Sequence, residues 1–329
     1  MRIVVTGGNS GVGKATAAAL AAAGHSVVIA CRTLPKAEQA AAEMAGDIEV
    51  RHLNLADLGS VRTFAEAMET VDVLVNNAGV LGLPLTRTAD GFEAHIGTNH
   101  LGHFALTCLL GDKITDRVIS VGSASYVFGR IHLEDLNWHT RRYSKWAACA
   151  QSKLANMLFI HELARRGVRA YISDPGGADT DITRDSTGLL HWLGEHKDLP
   201  LHIPTQSPPD AARASIEAVT TDLPTGSYLA PRFSLWGKPK PTKIRKKACD
   251  PEMARRLWEL SADLTGCDWS GWRSRIVQTK IETDCASCNL RLPCPTPFAS
   301  RRWRSPGKSA LRGGTRPSWP NVPKSSATT

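Results

Sequence analysis

No run of about 18 apolar residues occurs in this 329-residue chain, so no transmembrane helix is expected. The chain opens on Met1-Arg2 and a strand-like run, not on a basic, then apolar, then small-residue leader, so no secretory signal is expected. Cysteine is sparse, and eight residues are too few for a secreted disulfide scaffold of this length. Most of the chain also lacks an excess of charge. The net charge of +9 belongs entirely to residues 271–329, which hold 11 Lys+Arg and 2 Asp+Glu. The chain totals are 40 and 31, so the first 270 residues carry 29 of each sign. What remains is a globular composition, 42% hydrophobic and 22% charged, long enough for a large core.

The first 180 residues alternate apolar β-rich runs with Ala-rich helical stretches. Strands are expected at Arg2–Thr6, Ser26–Cys31, Ile48–Leu55, Val71–Asn76, Arg117–Val121 and Val168–Ser173. Continuous apolar runs of this kind suit parallel strands buried on both faces. Helices are expected at Gly13–Ala23, Pro35–Ala45, Val61–Glu69, Phe92–Leu110 and Trp146–Arg165, with Gly24 and Gly167 at helix ends. The rhythm predicts an α/β fold with a doubly wound parallel sheet. A helix near Pro209–Thr220, a strand near Ser227–Ala230 and a helix near Pro251–Leu264 would complete it. The domain is read as 1–270. The segment 271–329 is a basic Pro/Ser/Arg-rich tail; only 8 of its 59 residues are Leu, Ile, Val or Phe, a composition that predicts disorder.

Thr6-Gly7-Gly8-Asn9-Ser10-Gly11-Val12-Gly13 joins the first strand to the first helix. Glycines there permit positive φ and close approach of backbone to a ligand, and the helix start offers free N–H groups to a pyrophosphate. In this strand–turn–helix position the loop points to a dinucleotide. The second strand ends at Ala30-Cys31-Arg32-Thr33, without the carboxylate that would take the 2′-hydroxyl of NAD(H). Arg32 suits a 2′-phosphate, so NADP(H) is favoured over NAD(H).

Four further elements follow in order: Asn76-Asn77-Ala78-Gly79, Asn99 in a helix, Ser123 after a strand, and Lys153 in Gln151-Ser152-Lys153-Leu154-Ala155-Asn156. With the glycine loop, this order resembles the short-chain dehydrogenase/reductase family. The stretches Asn99–Phe104 and Tyr143–Asn156 bring it closest to the retinol-dehydrogenase-like group. The resemblance runs from about residue 2 to 270 and implies a Rossmann-type fold and hydride transfer between a nicotinamide cofactor and an alcohol/carbonyl pair. It implies that Ser123 holds the substrate oxygen, that Lys153 holds the nicotinamide ribose and lowers the pKa of a tyrosine four residues earlier, and that Asn99 anchors a relay water. It also assigns cofactor contacts to Thr6, Gly7, Asn9, Ser10, Gly11, Val12, Gly13, Arg32, Asn54, Leu55, Asn77, Ala78, Gly79, Lys153, Pro175, Gly176 and Thr180. Asn54 stands where an Asp is usual.

The departure that matters is Cys149, which occupies the tyrosine position. A thiol is a weaker donor than a phenol and several bonds shorter. Tyr143 is read as facing elsewhere on the same helix, and Tyr126 as too remote to replace it. The expectation is an intact cofactor site with impaired catalysis, or an inactive nucleotide-binding pseudoenzyme.

Other constellations are set aside. His95, His100 and His103 match family helix packing, so no metal is expected. Cys285, Cys288 and Cys294 fall one ligand short of a zinc site. Arg301, Arg302, Trp303 and Arg304 have no recognised nucleic-acid-binding fold behind them, so a nucleic-acid partner is not expected. The apolar cluster at Leu189, Leu190, Trp192 and Leu193 permits an apolar small-molecule alcohol or carbonyl. Cytoplasmic location is the default expectation, and a homo-oligomer is implied by the resemblance alone.

Overall fold

The computed structural model describes residues 1–178, 206–269, 284–285 and 290–291. Thr180, the cluster 189–193, the boundary near 270 and nearly all of the basic tail lie outside the described residues. Every described residue belongs to the compact unit Met1–Leu292.

The chain forms β1 (Arg2–Thr6), α1 (Gly11–Ala22), β2 (Ser26–Cys31), α2 (Leu34–Ala42), β3 (Ile48–His52), α3 (Leu58–Ala67) and β4 (Val71–Asn76). There follow α4 (Ala94–Ile96), a π turn at Gly97–Leu101, α5 (Gly102–Leu109), β5 (Ile114–Val121), α6 (Lys145–Arg165) and β6 (Arg169–Ser173). The remainder holds α7 (Pro208–Thr220), β7 (Tyr228–Pro231), β8 (Pro239–Pro241) and α8 (Pro251–Thr265). A two-residue ladder, β9 (Asp284–Cys285) with β10 (Leu290–Arg291), stands apart from the main sheet.

The main sheet has eight strands in the order β3-β2-β1-β4-β5-β6-β7-β8. All neighbours are parallel except β7 and β8. Strand side chains alternate between two buried layers. Val4, Val28 and Val118 join the layer under α3, α5, α6 and α8, whereas Ile3, Val5, Val27, Ile29 and Ile119 join the layer under α1 and α7. Both faces are covered, which is why the strands read as unbroken apolar runs. The order reverses between β1 and β4, so the carboxyl ends of these strands open a crevice, the usual ligand position in such sheets.

Three departures from the sequence expectations have local causes. β3 stops at His52, not Leu55, because Asn54 N–H turns away to Ser60 Oγ at 3.0 Å and Asn54 O accepts Asp57 N–H at 3.1 Å. The expected helix 92–110 is interrupted by the π turn, where Gly102 packs so close that a Cβ would lie 2.3 Å from Leu55 O. β8 was not expected at all, since Pro239 and Pro241 argue against a strand; its edge position, antiparallel to β7, accommodates them. Among the described residues no helix is long and apolar enough to cross a membrane.

Two of the four buried imidazoles among the described residues, His100 and His103, sit against hydroxyls inside this packing. His103 hydrogen-bonds with Thr6 Oγ at 2.9 Å and His100 with Ser261 Oγ at 2.9 Å. Burial pushes their pKa values down, to about 3 for His100 and about 4 for His103. Both are neutral in the folded protein when the unfolded chain has begun to take up protons below about pH 6.5. Stability therefore holds above pH 6.5 and falls as pH drops toward 4. Thermal unfolding should show a flat Tm between pH 7 and 8 and a decline between pH 6.5 and 5; a Tm unchanged to pH 5 contradicts this.

Candidate active site

The glycine loop follows directly from the end of β1. Gly7 has φ +67° and Gly11 φ +51°, conformations that suit glycine. Gly13 has no room for a side chain: a Cβ would lie 2.3 Å from Asn77 Nδ2 and 2.4 Å from Gly7 O. Ser10 caps α1 in extended conformation without a side-chain bond, and the first turn carries no acidic residue. The positive end of the helix is left for an anionic ligand.

Thr6 holds this loop to the end of β4. It is fully buried. Its Oγ accepts Asn77 N–H at 2.9 Å and Ala78 N–H at 2.9 Å. His103 Nδ1 faces the Asn99 carbonyl at 3.0 Å and must donate to it, so Nε2 accepts the Thr6 hydroxyl proton. Asn77 Nδ2 donates to Thr6 O at 2.8 Å. The sequence expectation made Thr6 a cofactor contact; the structure gives its side chain to the protein instead, beneath the cleft.

A cleft of about 1300 Å³ runs across the carboxyl ends of the strands. Gly7, Asn9, Ser10, Gly11, Val12 and Gly13 line one end, with Arg32, Asn54 and Leu55. Asn77, Ala78 and Gly79 line the middle, and Ser123, Cys149, Lys153, Pro175 and Gly176 the far end. Arg32 is exposed and makes no ion pair among the described residues. Asn54 accepts from Ala56 through Oδ1, and its Nδ2 has no partner among the described residues. A separate hollow of about 540 Å³ beside Pro84, Leu85 and Arg142–Lys145 contains none of the expected cleft residues.

Lys153 Nζ donates to Val121 O at 3.0 Å. Burial lowers its pKa, while Cys149 and Asp174 act in the opposite sense. Cys149 lies one helical turn earlier and is 4% exposed. Burial raises its thiol pKa, Lys153 opposes that and Glu93 adds to it, so the thiol keeps its proton at neutral pH. Ser123 Oγ accepts Ser125 N–H at 3.3 Å and lies 3.1 Å from Ser125 Oγ.

Asn99 sits at the π turn and not in a regular helix, and it does not line the cleft. Its Oδ1 accepts Val80 N–H at 2.8 Å, and its Nδ2 donates to Val80 O at 3.1 Å and Ser152 Oγ at 2.9 Å. The amide is committed to holding the Gly79–Val80 segment against α6. Tyr143 precedes α6 and so is not on its surface. Its hydroxyl donates within a buried cluster containing Glu93 Oε1 at 3.0 Å and Leu83 O at 3.1 Å, with His95 Nδ1 at 3.3 Å. Burial and the Glu93 carboxylate raise its pKa, so it holds its proton and is no substitute acid. Tyr126 is buried and its OH accepts Arg245 N–H at 3.2 Å.

His95, His100 and His103 turn to Glu93, Ser261 and Thr6 respectively, and do not converge. Among the described residues no group of three or more His, Cys, Asp or Glu side chains could hold a metal. Cleft residues that sequence reasoning missed include Leu81, Leu83, Phe128 and Trp146. Leu81 and Leu83 come from the loop after β4, Phe128 from the short helical turn Ala124–Phe128 and Trp146 from the first turn of α6.

Replacing Thr6 with Val removes one hydroxyl, strands Ala78 N–H and an imidazole nitrogen, and leaves Asn77 N–H with Val75 O at 3.0 Å alone. Each unmet buried group costs about 1–3 kcal/mol. Chemical denaturation should therefore show a loss of about 2 kcal/mol or more; a loss below about 1 kcal/mol contradicts the hub assignment.

Comparison with known proteins agrees with this geometry. The pattern of the short chain dehydrogenase family matches residues 1–188. Human "Retinol dehydrogenase 13" is 40% identical over 297 residues, covering 81% of this chain and 85% of that protein. Mouse "Retinol dehydrogenase 12" is 38% identical over 289 residues, covering 81% and 87%. A crystal structure of an uncharacterized protein from Mycobacterium Paratuberculosis superposes with a TM-score of 0.71 at 43% identity, covering 82% of this chain and 94% of that one. The chain belongs to the short-chain dehydrogenase/reductase family of oxidoreductases acting on CH–OH groups, in its retinol-dehydrogenase-like group.

Proposed function

We propose that this chain is an NADP(H)-preferring oxidoreductase for an apolar alcohol/carbonyl pair, with its proton-transfer step weakened by Cys149. The residues fit a nicotinamide dinucleotide. Besides Gly13, Gly79 leaves a cradle that a Cβ would fill, 3.1 Å from Asn99 Oδ1 and 4.0 Å from Lys153 Nζ. When bound, the cofactor supplies or accepts a hydride. The chain's own groups do the rest. The first turn of α1 and the glycine loop would take the pyrophosphate. Arg32, exposed at the adenosine end, would pair with a 2′-phosphate, and Asn54 would meet the adenine edge. Ser123 would hold the substrate oxygen, and Lys153 would hold the ribose. Leu81, Leu83, Phe128 and Trp146 line the cleft and support an apolar substrate; relatives named for retinol are consistent with that class.

Cys149 carries the reading of weakened turnover. A general acid must come within about 3 Å of the oxygen it protonates, or act through one water. The thiol is protonated but short, and Tyr143 and Tyr126 are committed elsewhere. Loss of a general acid costs about 10²–10⁴-fold in rate, or roughly 3–5 kcal/mol of barrier. The same observation supports a second reading, a nucleotide-binding protein without turnover.

The test is NADPH oxidation over a panel of aldehydes and ketones by the native protein and by Cys149→Tyr. The variant should be faster by about 10²–10⁴-fold. Equal rates would mean that the thiol or a water serves as proton donor. Background rates for both, with nucleotide bound, would favour the second reading. Arg32→Ala should weaken NADPH binding about tenfold or more while leaving NADH nearly unchanged, on the scale of one charge-assisted phosphate contact; equal losses for both nucleotides count against the 2′-phosphate role.

A further inference from the structure

Glu93 is a fully buried carboxylate that lines neither the cleft nor the separate hollow. Its partners converge on the loop after β4, from which Leu81 and Leu83 line the cleft. Loop backbone usually leaves its N–H and C=O groups to water. In this loop two residues have both groups bound by side chains. Val80 is bound by the Asn99 amide, through its N–H at 2.8 Å and its carbonyl at 3.1 Å. Leu83 N–H donates to His95 Nε2 at 3.3 Å, and Leu83 O accepts from the Tyr143 hydroxyl at 3.1 Å. Gly82, between the two lining leucines, turns the chain at φ +69°.

Glu93 joins the two side chains that bind Leu83. It caps α4, with Oε1 accepting His95 N–H at 3.0 Å and Oε2 accepting Ile96 N–H at 2.9 Å. Because His95 Nε2 accepts from Leu83, the ring proton sits on Nδ1 and is donated to Glu93 Oε1 at 2.7 Å. The Tyr143 hydroxyl has one proton and shares it between Leu83 O and the same Oε1, which lies at 3.0 Å. One carboxylate therefore sets the imidazole tautomer and the direction of the phenol. The Tyr143 ring is held independently, edge-on to Trp138 with centroids 5.5 Å apart. Tyr143 immediately precedes Ser144, the N-cap of α6, and Trp146 and Cys149 in the next turns line the same cleft. The cluster thus fastens the loop to the start of α6. Asn99 does the same further along the helix, where it donates to Ser152 Oγ at 2.9 Å.

We infer that Tyr143 and His95, oriented by Glu93, are positioning residues of the substrate wall: they lock Leu83, and with it Leu81, against α6 and so set how well the cleft takes long apolar substrates. The inference rests on the reading of this cleft as the site of an apolar alcohol or carbonyl. A wall fixed through its backbone keeps its shape when the site is empty. Little ordering then remains to be done when an apolar ligand packs against it.

Tyr143→Phe keeps the ring on Trp138 and removes only the hydroxyl. Hydrogen-exchange mass spectrometry on the full chain, free of cofactor, reads the consequence. Peptides covering residues 79–85 should exchange about tenfold faster in the variant, the scale of one buried hydrogen bond, while peptides from β1 and β5 stay as in the native protein. Tyr171→Phe is the control for a general loss of stability, since it removes another buried hydroxyl, bonded to Leu223 O at 2.9 Å. It should leave 79–85 unchanged. A merely structural Tyr143 would lower Tm without moving 79–85, or would move it no more than Tyr171→Phe does; either result overturns the inference. Selectivity is read by titrating the NADPH complex with 1-butanol and with 1-decanol, followed by nicotinamide fluorescence. The native protein should prefer decanol, and Tyr143→Phe should shrink that preference about fivefold or more while NADPH affinity stays within about twofold. An undiminished preference also overturns the inference. Failure of the native protein to bind either alcohol would strike the apolar-substrate reading and the selectivity role with it, a pattern distinct from binding without a change in preference.

Discussion

The hydroxyl of Thr6 is the point through which the cofactor end of this protein is held together. It sits where β1 gives way to the glycine loop, and it uses all of its hydrogen-bonding capacity on groups brought from far along the chain. Two backbone N–H groups come from Asn77 and Ala78, and one imidazole comes from His103. In a sheet buried on both faces, strand ends are where backbone groups lose their ladder partners and must find others. One oxygen meets two of those demands and orients an imidazole that binds the Asn99 carbonyl. The π turn, the Asn99 amide and Ser152 beside Lys153 then follow in one connected chain of contacts.

That rigidity explains how the cleft keeps its form with a cysteine at position 149. The Asn77 and Asn99 amides are held by hydrogen bonds within the protein itself. None of them depends on the side chain at position 149. A cysteine there fits a nearly closed position, retains its proton and leaves the surrounding network undisturbed. Under the proposed function the difference from a tyrosine there is one of reach, not architecture.

Much of this was legible in the sequence. Unbroken β-branched runs announced the parallel strands, and the glycines after β1 announced the tight turn that leads into α1. The order of Asn99, Ser123 and Lys153 placed the family, and the missing tyrosine was visible as Cys149. Other features were not legible, for physical reasons. A helix buried all round gives no hydrophobic stripe, so the shift to π geometry at Gly97–Leu101 left no periodic trace. Pro239 and Pro241 hid β8, because they are tolerated only at an edge. Tyr143 was misplaced because α6 begins one residue after Ser144, its N-cap, and so excludes the tyrosine.

The central claim is that the cofactor cleft is intact and independent of the side chain at 149. Equilibrium titration with NADPH, followed by nicotinamide fluorescence in the native protein and in Cys149→Tyr, tests it most directly. The account predicts saturable binding by both, with Kd values within a few-fold of each other. No binding by the native protein, or binding that appears only when the tyrosine is present, would contradict it.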